Sequence, residues 1–381
     1  MENRGTRGGK FRRLSAIFVC AAIVFLVGCG DYRAQMGPGG GGPMPVPIPN
    51  ASPEWFFVDN FSGDVSGFSV QSGKLEPIVG GSVQFPLGLV RFAVDPKGTF
   101  LAALYAQNTD TVGFQTASIN SGGTVTLHQI TNGFNNPSVI AISPEGIVAV
   151  ADQNNHTVQL LMVQGNLQFT SDFYQTGPLP QDMVFSPDGK FLFVANNGDN
   201  TISVFSIGVA ALNPLHTITL PEQPTDSSSG LVRIRLSDLG SKLAASTFDG
   251  RLYVADVSST DGNLSNVREI EVAGGANLEE VALDANGQTV YTADQDNGGI
   301  FGYSLSGAPA APLPGSPYPT SVGVTGMALN GAGDRLYAVN GPAGLILTFT
   351  RDKSTGRLTA TNDIVSTGGF LADKIVRVPA H

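Results

Sequence analysis

Residues Met183-Val-Phe-Ser-Pro-Asp-Gly-Lys-Phe-Leu-Phe-Val-Ala-Asn196 read as a short apolar strand, a tight turn and a second apolar strand. Proline presets one backbone dihedral of such a turn, and glycine adopts a left-handed one without steric cost. Related phrases place their turn glycines 48, 43, 51, 47 and 46 residues apart, at Gly98, Gly146, Gly189, Gly240, Gly287 and Gly333. A period of this size, with hardly any helical pattern between the turns, predicts a β-propeller.

Each repeat divides into four strands, here called a to d. In the copy quoted above, strand a covers 182–185, b covers 191–195, c covers 201–207 and d lies near 215–220. The b pattern occurs seven times, beginning at 55–58, but only six complete a strands precede a b strand. The missing a pattern occurs at 374–378. We therefore predict an all-β fold, a seven-bladed β-propeller of four-stranded antiparallel blades over residues 52–381, with the ring closed by the C-terminal strand joining the N-terminal blade.

The N-terminus has the pattern of a targeting signal. Five basic residues lie between Arg4 and Arg13, and the apolar stretch 14–28 is, at 15 residues, short for a membrane span. It ends in Leu26-Val27-Gly28-Cys29, which resembles the bacterial lipobox. This predicts a lipoprotein signal peptide over 1–28, lipidation of Cys29 and a Gly/Pro-rich spacer over 29–51. An uncleaved signal anchor is the alternative.

The lipobox resemblance implies a location in the cell envelope, outside the cytoplasm, with the protein anchored to the membrane by lipid. Gly30 stands where an aspartate would imply retention in the inner membrane, so the outer membrane is the expected site. The chain carries a net charge of −10, and the five basic and one acidic residues of 1–28 leave −14 on the rest. Such an acidic protein is not expected to bind nucleic acid.

Candidate chemistry is sparse. With Cys20 and Cys29 in the N-terminal segment, residues 30–381 contain no cysteine, which excludes disulfides and Cys-ligated metals there. The four histidines do not pair at metal-ligand spacing, and we predict no metal and no cofactor. The loops between strands b and c are rich in Asp and Asn, as at Asp294-Gln-Asp-Asn297. Calcium could bind such oxygens, but tight turns favour the same residues, and we interpret these loops as turns.

The strand register suggests one polar constellation. Strand a lines the central channel, and the position four residues before each turn holds Arg91, Val139, Asp182, Arg233, Glu280, Gly326 and Ile375. The preceding position adds Gln181, Glu279 and Lys374. We predict that Arg91, Gln181, Asp182, Arg233, Glu279, Glu280 and Lys374 lie toward one channel mouth. They could bind a carbohydrate or small acid, since an arginine fork matches a carboxylate, or form a structural ion-pair network.

Residues 186–206 resemble the YVTN repeat of bacterial surface propellers, and equally the lactonase family of seven-bladed propellers, which includes 6-phosphogluconolactonase and carboxymuconate cyclase. The resemblance covers about residues 52–379. Enzymes of that family tend to carry Pro-His-Ala-His before one turn and Pro-Asp-Leu-Gly after its b strand. The matching positions read Pro178-Leu179-Pro180-Gln181 and Ala195-Asn196-Asn197-Gly198. The expected histidines are thus Leu179 and Gln181, and glutamine exchanges no proton near neutral pH.

Two functions follow as hypotheses. The first is a lipid-anchored extracytoplasmic propeller that acts as a platform for a ligand or an envelope protein. The alternative is a lactone hydrolase at the channel mouth, with Arg91 and Arg233 holding a carboxylate and Glu280 or Asp182 orienting water. Whether the protein is an enzyme stays open at this point.

Overall fold

The computed structural model describes residues 54–85, 89–106, 112–134, 137–164, 166–208, 211–221, 229–275 and 277–379. All of these lie in one compact unit, residues 50–381. The predicted signal peptide and the whole predicted spacer, including Cys29, lie outside the described residues. Within the described ranges, the chain contains no apolar helix of membrane-spanning length.

The described residues form 29 strands in seven antiparallel sheets, which confirms the predicted seven-bladed propeller. Blade 1 contains β1 (Glu54–Asn60), β2 (Asp64–Gln71), β3 (Lys74–Pro77), β4 (Val83–Gln84) and β29 (Ala372–Pro379). Blade 2 contains β5 (Leu89–Val94), β6 (Phe100–Ala106), β7 (Val112–Ile119) and β8 (Val125–Phe134). Blade 3 contains β9 (Pro137–Ile142), β10 (Ile147–Asp152), β11 (Thr157–Gln164) and β12 (Asn166–Gln175). Blade 4 contains β13 (Pro180–Phe185), β14 (Phe191–Asn196), β15 (Thr201–Ile207) and β16 (Leu212–Thr219).

The remaining three blades repeat the same order. Blade 5 contains β17 (Leu231–Leu236), β18 (Lys242–Thr247), β19 (Leu252–Val257) and β20 (Leu264–Ile270). Blade 6 contains β21 (Leu278–Leu283), β22 (Thr289–Asp294), β23 (Ile300–Ser304) and β24 (Ala311–Pro312). Blade 7 contains β25 (Val324–Leu329), β26 (Arg335–Asn340), β27 (Leu345–Arg351) and β28 (Leu358–Ser366).

The ring closes as the sequence predicts. The C-terminal strand β29 pairs antiparallel with β1, so blade 1 has the order β29-β1-β2-β3. Trp55 lies opposite Val378, and Phe57 lies opposite Val376. The last strand thereby covers the inner edge of β1, which would otherwise expose unpaired backbone groups. The closing strand also becomes the innermost strand of its blade, like β5 in blade 2.

The a–b turns have the backbone that their sequence requires. Gly189 adopts φ of 70°, and its N–H donates to the Ser186 carbonyl at 2.9 Å. The Ser186 hydroxyl accepts from Phe191 N–H at 2.9 Å and donates to Asp188 at 2.7 Å. This local hydrogen bonding fixes the register of each strand pair, and thus which residues reach the channel.

The hydrophobic core lies between blades. Phe57 of β1 packs with Leu101 of β6 between blades 1 and 2. Between blades 7 and 1, the rings of Phe56 and Tyr337 meet edge to face, with centroids 4.7 Å apart. Each blade therefore buries its two faces against its neighbours, and no single blade has a core of its own.

A β-bulge recurs in the innermost strand of every blade and determines which residues enter the channel. In blade 4 the pairing shifts between Pro180 and Asp182, and in blade 2 between Leu89 and Arg91. The corresponding shifts in the other blades precede Val139, Arg233, Glu280, Gly326 and Lys374. A bulge adds one residue to one strand and re-aims its side chains. The structure thus has a layer of equivalent positions around the channel, immediately after the bulge.

The predicted register of blade 1 is wrong by one residue. Lys374 occupies the position equivalent to Asp182, and Asp373 occupies the one before it. Ile375, which was expected in the charged layer, is buried between blades 7 and 1 beside Phe56. The error has a physical cause, because the end of β29 lacks the Pro-Asp-Gly turn from which positions are counted in the other blades.

Candidate functional site

Charged side chains from five blades meet in the central channel. We call this set the channel ion cluster, and it consists of Arg91, Asp182, Arg233, Arg235, Glu280, Asp373 and Lys374. The recurring bulge places most of them at equivalent positions on neighbouring inner strands. Five of the seven predicted site residues belong to this cluster.

Arg235 binds two of the carboxylates. Its Nη1 donates to Asp182 Oδ2 at 2.6 Å, and its Nη2 donates to Glu280 Oε2 at 2.9 Å. The side chains of Asp182 and Glu280 are 4% and 1% exposed, so these ion pairs are shielded from water. Asp182 also accepts from Ile234 N–H at 3.0 Å. Arg235 therefore joins blade 5 to blade 4 on one side and to blade 6 on the other.

Asp373 links the other two arginines. Arg91 Nη1 lies 2.9 Å from Asp373 Oδ2, and Arg233 Nη2 lies 3.3 Å from Asp373 Oδ1. The second pair crosses the channel, because Arg233 belongs to blade 5 and Asp373 to blade 1. Arg233 Nε is 3.8 Å from Glu280 Oε2 and, within the described residues, lacks a hydrogen-bonding partner. Asp373 is thus the carboxylate that neutralises the two arginines predicted to hold a ligand.

The electrostatics of Asp182 and Glu280 differ. Burial alone would raise the pKa of the Asp182 carboxyl, but Arg235, Lys374 and Arg233 outweigh it and hold this pKa below its usual value. Burial raises the pKa of the Glu280 carboxyl, and Arg235 and Arg233 only partly oppose it. Guanidinium donors engage Oδ2 of Asp182 and Oε2 of Glu280, and Glu280 Oε1 accepts from Val281 N–H at 3.0 Å, so both oxygens of Glu280 are occupied.

Lys374 and Asp59 form the blade 1 side of the cluster. Asp59 is buried, and its Oδ1 accepts from Lys374 N–H at 2.7 Å. Burial, with the nearby Asp373, raises the pKa of Asp59 to about 7. Burial and the positive charge of Arg235 lower the pKa of the Lys374 ammonium to about 8. With these pKa values, Asp59 and Lys374 both change protonation close to neutral pH.

Glu279 and Gln181 lie one position before the charged layer. Burial raises the pKa of the Glu279 carboxyl, while Arg233 lowers it, and in the described part of the chain no residue hydrogen-bonds to this carboxyl. The Gln181 amide oxygen accepts from Gln153 Nε2 at 2.9 Å. The structure therefore separates Gln181 from the ion cluster and leaves Glu279 as an unpaired carboxyl beside it.

The left-handed backbone at Leu179, with φ of 55°, brings its N–H within 3.0 Å of His156 Nδ1. The Nδ1 atom of His156 accepts this hydrogen bond, so His156 in the b–c loop of blade 3 positions the segment before β13. Leu179 and Gln181, which stand where the family resemblance places histidines, therefore both have structural partners from blade 3.

The b–c loop after β22 is stabilised by hydrogen bonds within the loop. Asp294 Oδ1 accepts from Asp296 N–H and Asn297 N–H, both at 3.0 Å, and Asp294 Oδ2 accepts from Asn297 Nδ2 at 3.0 Å. The carboxylate thus closes the turn of its own loop. Among the residues that the structure describes, no group of three His, Cys, Asp or Glu side chains is placed to hold a metal ion.

Sequence reasoning missed Arg235, Asp373 and Asp59. Arg235 stands two residues before its turn, where the equivalent positions are Ala93, Ala141, Val184, Ala282, Ala328 and Val376. A single arginine among small residues at these equivalent positions could have identified Arg235 as a candidate site residue. Asp373 and Asp59 were hidden by the register error in blade 1.

Comparison with known proteins agrees with this architecture. The chain matches the family described as lactonase, 7-bladed beta-propeller, over residues 115–213 and 174–308, which together span half of the chain. A comparison with curated proteins gives no match.

Solved structures share the fold at low sequence identity. One is a candidate 6-phosphogluconolactonase from Bacteroides uniformis, with a TM-score of 0.74 and 18% identity over 86% of this chain and 100% of that one. Its counterpart from Bacteroides fragilis has a TM-score of 0.73 and 15% identity, over 87% and 100%. The periplasmic gluconolactonase of Pseudomonas aeruginosa has a TM-score of 0.67 and 14% identity, over 87% and 100%. The family match and the seven closed blades together show that this chain belongs to the lactonase family of seven-bladed β-propellers.

Proposed function

We propose that this protein is a lipid-anchored propeller of the cell envelope that lies outside the cytoplasm. It binds a ligand or a protein partner there and does not hydrolyse lactones. The observation that carries the absence of hydrolysis is the engagement of Asp182 and Glu280 by Arg235, at 2.6 and 2.9 Å. A carboxylate that activates water must accept a proton, and a paired guanidinium makes it a weaker base because it stabilises the charged form. The two arginines expected to hold a substrate are themselves bound to Asp373.

The anchor part of the proposal rests on Leu26-Val27-Gly28-Cys29 and the Gly/Pro-rich spacer that follows. Its test is the fractionation of cells that express the full chain or a Cys29→Ser variant. We expect the full chain in the outer-membrane fraction, labelled by radioactive palmitate. The variant should lose the label. Equal labelling of both proteins, or recovery of the unlabelled full chain from the cytoplasm, would overturn this part.

Lactone hydrolysis is the second candidate, and Glu279 is the residue that favours it. Its carboxyl has no hydrogen-bonding partner among the described residues and lies near Arg233 and Arg91, and burial raises its pKa, which makes it a stronger base. The gluconolactonase name of one structural relative points in the same direction. In the part of the chain that the structure describes, the two arginines near Glu279, Arg91 and Arg233, are both paired with Asp373.

A lactonase assay distinguishes the two candidate functions, binding without hydrolysis and lactone hydrolysis. Hydrolysis of gluconolactone and of a muconolactone is followed by pH-stat, using the full-length protein in lipid nanodiscs, with empty nanodiscs as the blank. The proposal expects rates equal to the blank for the wild type and for Glu279→Gln. Turnover above the blank that is lost in Glu279→Gln, but kept in Gln153→Ala at the same mouth, would make the protein a lactonase.

A further inference from the structure

At the end formed by the a–b turns, the channel opens into a cavity of about 570 Å³. We call it the turn-side cavity. Its lining differs from the mouth where Gln181 and Glu279 lie, because the inner strands present small apolar residues here. They are Ala93, Ala141, Val184, Ala282, Ala328 and Val376. Ligand pockets in proteins typically have volumes of this order and walls that are mainly apolar.

Two cationic side chains line this cavity next to the channel ion cluster. Arg235 uses three of its five N–H donors, on Asp182, Glu280 and the Ile234 carbonyl, and its side chain remains 21% exposed. Lys374 also lines the cavity. Its ammonium has no hydrogen bond or ion pair to any residue in the described ranges, although it is largely withdrawn from water. A partly desolvated ammonium without an acceptor is unfavourable, and an anion placed against it would remove that cost.

An ion pair spans the outer rim of the cavity. Arg377 Nη2 lies 2.8 Å from Asp238 Oδ2, and both residues line the cavity. Arg377 belongs to blade 1 and Asp238 to the a–b turn of blade 5, so the pair reaches across the ring. Their side chains are 24% and 48% exposed, so water screens the pair and its contribution to stability is small. It can therefore open at little cost and admit a small molecule.

We propose that the turn-side cavity binds a small carboxylic acid with a compact apolar body, its carboxylate against Lys374 and Arg235 and its apolar part against the alanine- and valine-lined wall. The inference rests on the proposed binding function and names its ligand class. It concerns the channel mouth opposite to Glu279.

The local charges select a monoanion. Asp182 and Glu280 lie beside Arg235 and within the electrostatic environment of Lys374, as does Arg233. One added negative charge pairs with the free ammonium, whereas a second would face these two carboxylates. An alcohol of the same shape would leave the ammonium without a charged partner, and an amine would add a like charge. The apolar wall disfavours strongly hydrated molecules such as free sugars, because their hydroxyl groups would lose water without finding partners.

The test uses three probes of nearly equal shape: benzoate, benzyl alcohol and benzylammonium. Their binding to the full-length protein in lipid nanodiscs is measured by saturation-transfer NMR at pH 7, with empty nanodiscs as the blank. We expect benzoate to bind at least about tenfold more tightly than benzyl alcohol, since a hydrogen bond between two charged groups is stronger than one to a neutral hydroxyl. Benzylammonium should not bind measurably.

Three variants locate the binding. Lys374→Met should remove the preference for benzoate over benzyl alcohol, because it removes the free ammonium and keeps the length of the side chain. Ala282→Leu should weaken all binding about tenfold by filling the wall. Gln153→Ala, at the opposite mouth, should change nothing. Thermal melting confirms that each variant folds, and Ala282→Leu decides the location if Lys374→Met does not fold.

Equal affinity for benzoate and benzyl alcohol, or a benzoate affinity that survives Ala282→Leu, would overturn the inference and leave the cavity as a water-filled channel mouth. That result would leave the proposed function standing, because a propeller can bind through its loops instead. Conversely, lactone turnover that depends on Glu279 would overturn the proposed function without bearing on benzoate at the other mouth. The two proposals therefore fail in different experiments.

Discussion

Arg235 Nη1 lies 2.6 Å from Asp182 Oδ2, although the two residues belong to different blades. The same guanidinium reaches Glu280 on the next blade, so one side chain from the wall of the channel holds three consecutive blades together. In a propeller each inner strand contacts only its two neighbours. A long side chain in a ring of small ones is therefore able to couple blades that apolar packing joins only in pairs.

Replacing Arg235 with methionine should destabilise the protein by about 3–5 kcal/mol, because it leaves two buried carboxylates without their common partner. Urea denaturation followed by circular dichroism measures the change. Lys190→Met is the matched control, since Lys190 pairs with Asp188 at 2.8 Å while its side chain is 66% exposed. The control should cost less than about 1 kcal/mol. Equal losses in both variants would show that the buried pairs contribute no more than a surface pair.

The pH dependence of stability should report Asp59. Burial raises the pKa of this carboxyl in the folded protein to about 7, from an ordinary value near 4. Between these two pH values the folded state holds a proton that the unfolded chain has released, so stability falls as pH rises through this window. Asp59→Asn keeps an oxygen acceptor for Lys374 N–H and cannot ionise. The free energy of unfolding of the variant should fall less between pH 4 and pH 7.

The measurement is a series of urea titrations at intervals between pH 4 and pH 7. Asp95→Asn provides the control for the substitution itself, because Asp95 also accepts backbone hydrogen bonds in a turn. The slope of stability against pH should change more in Asp59→Asn than in Asp95→Asn. Parallel pH profiles of the wild type and Asp59→Asn would contradict the assignment.

Lys374 should produce the opposite slope at higher pH. Burial and Arg235 lower the pKa of its ammonium to about 8 in the folded protein. Between about pH 8 and 10.5 the unfolded chain binds a proton that the folded state has lost, so stability contributed by this group increases with pH. Lys374→Met should be more stable than the wild type at pH 7 by a few kcal/mol, and the difference should vanish toward pH 10.5. A difference independent of pH would indicate that the two side chains differ only in packing.

The fold was accessible to sequence analysis because its signals are local. The turn at Ser186-Pro-Asp-Gly189 defines both flanking strands through hydrogen bonds within a few residues, and each copy repeats that information. The a pattern at 374–378 revealed ring closure for the same reason, since it recurs without its b strand. Composition and periodicity thus sufficed for blade number and order.

The site could be predicted only in part from the sequence, because it depends on strand register and on contacts between residues far apart in the chain. The end of β29 lacks the Pro-Asp-Gly turn from which positions are counted in the other blades, so the prediction for blade 1 put Ile375 at the position that Lys374 occupies. Arg235 pairs with Asp182 and Glu280 because the ring arranges blades 4, 5 and 6 around one axis. The spacing of these residues along the chain does not give the distances between their side chains. Charged candidates were therefore identified, but the pairing of Asp182 and Glu280 with Arg235 was not.

Closure of the ring should be sensitive to charge in β29. Val378 is 1% exposed and packs in the core between blades 1 and 2, opposite Trp55. Val378→Asp would bury a carboxylate without a partner and should cost more than about 3 kcal/mol. If β29 detaches, the inner edge of β1 is exposed, so the variant should also aggregate on warming.

Ile364→Asp is the control, because Ile364 on the outer strand β28 is 55% exposed and should tolerate the change. Urea denaturation and light scattering during heating measure both effects. Aggregation of both variants at the same temperature would show that exposed outer strands, rather than the closing strand, limit the integrity of the ring.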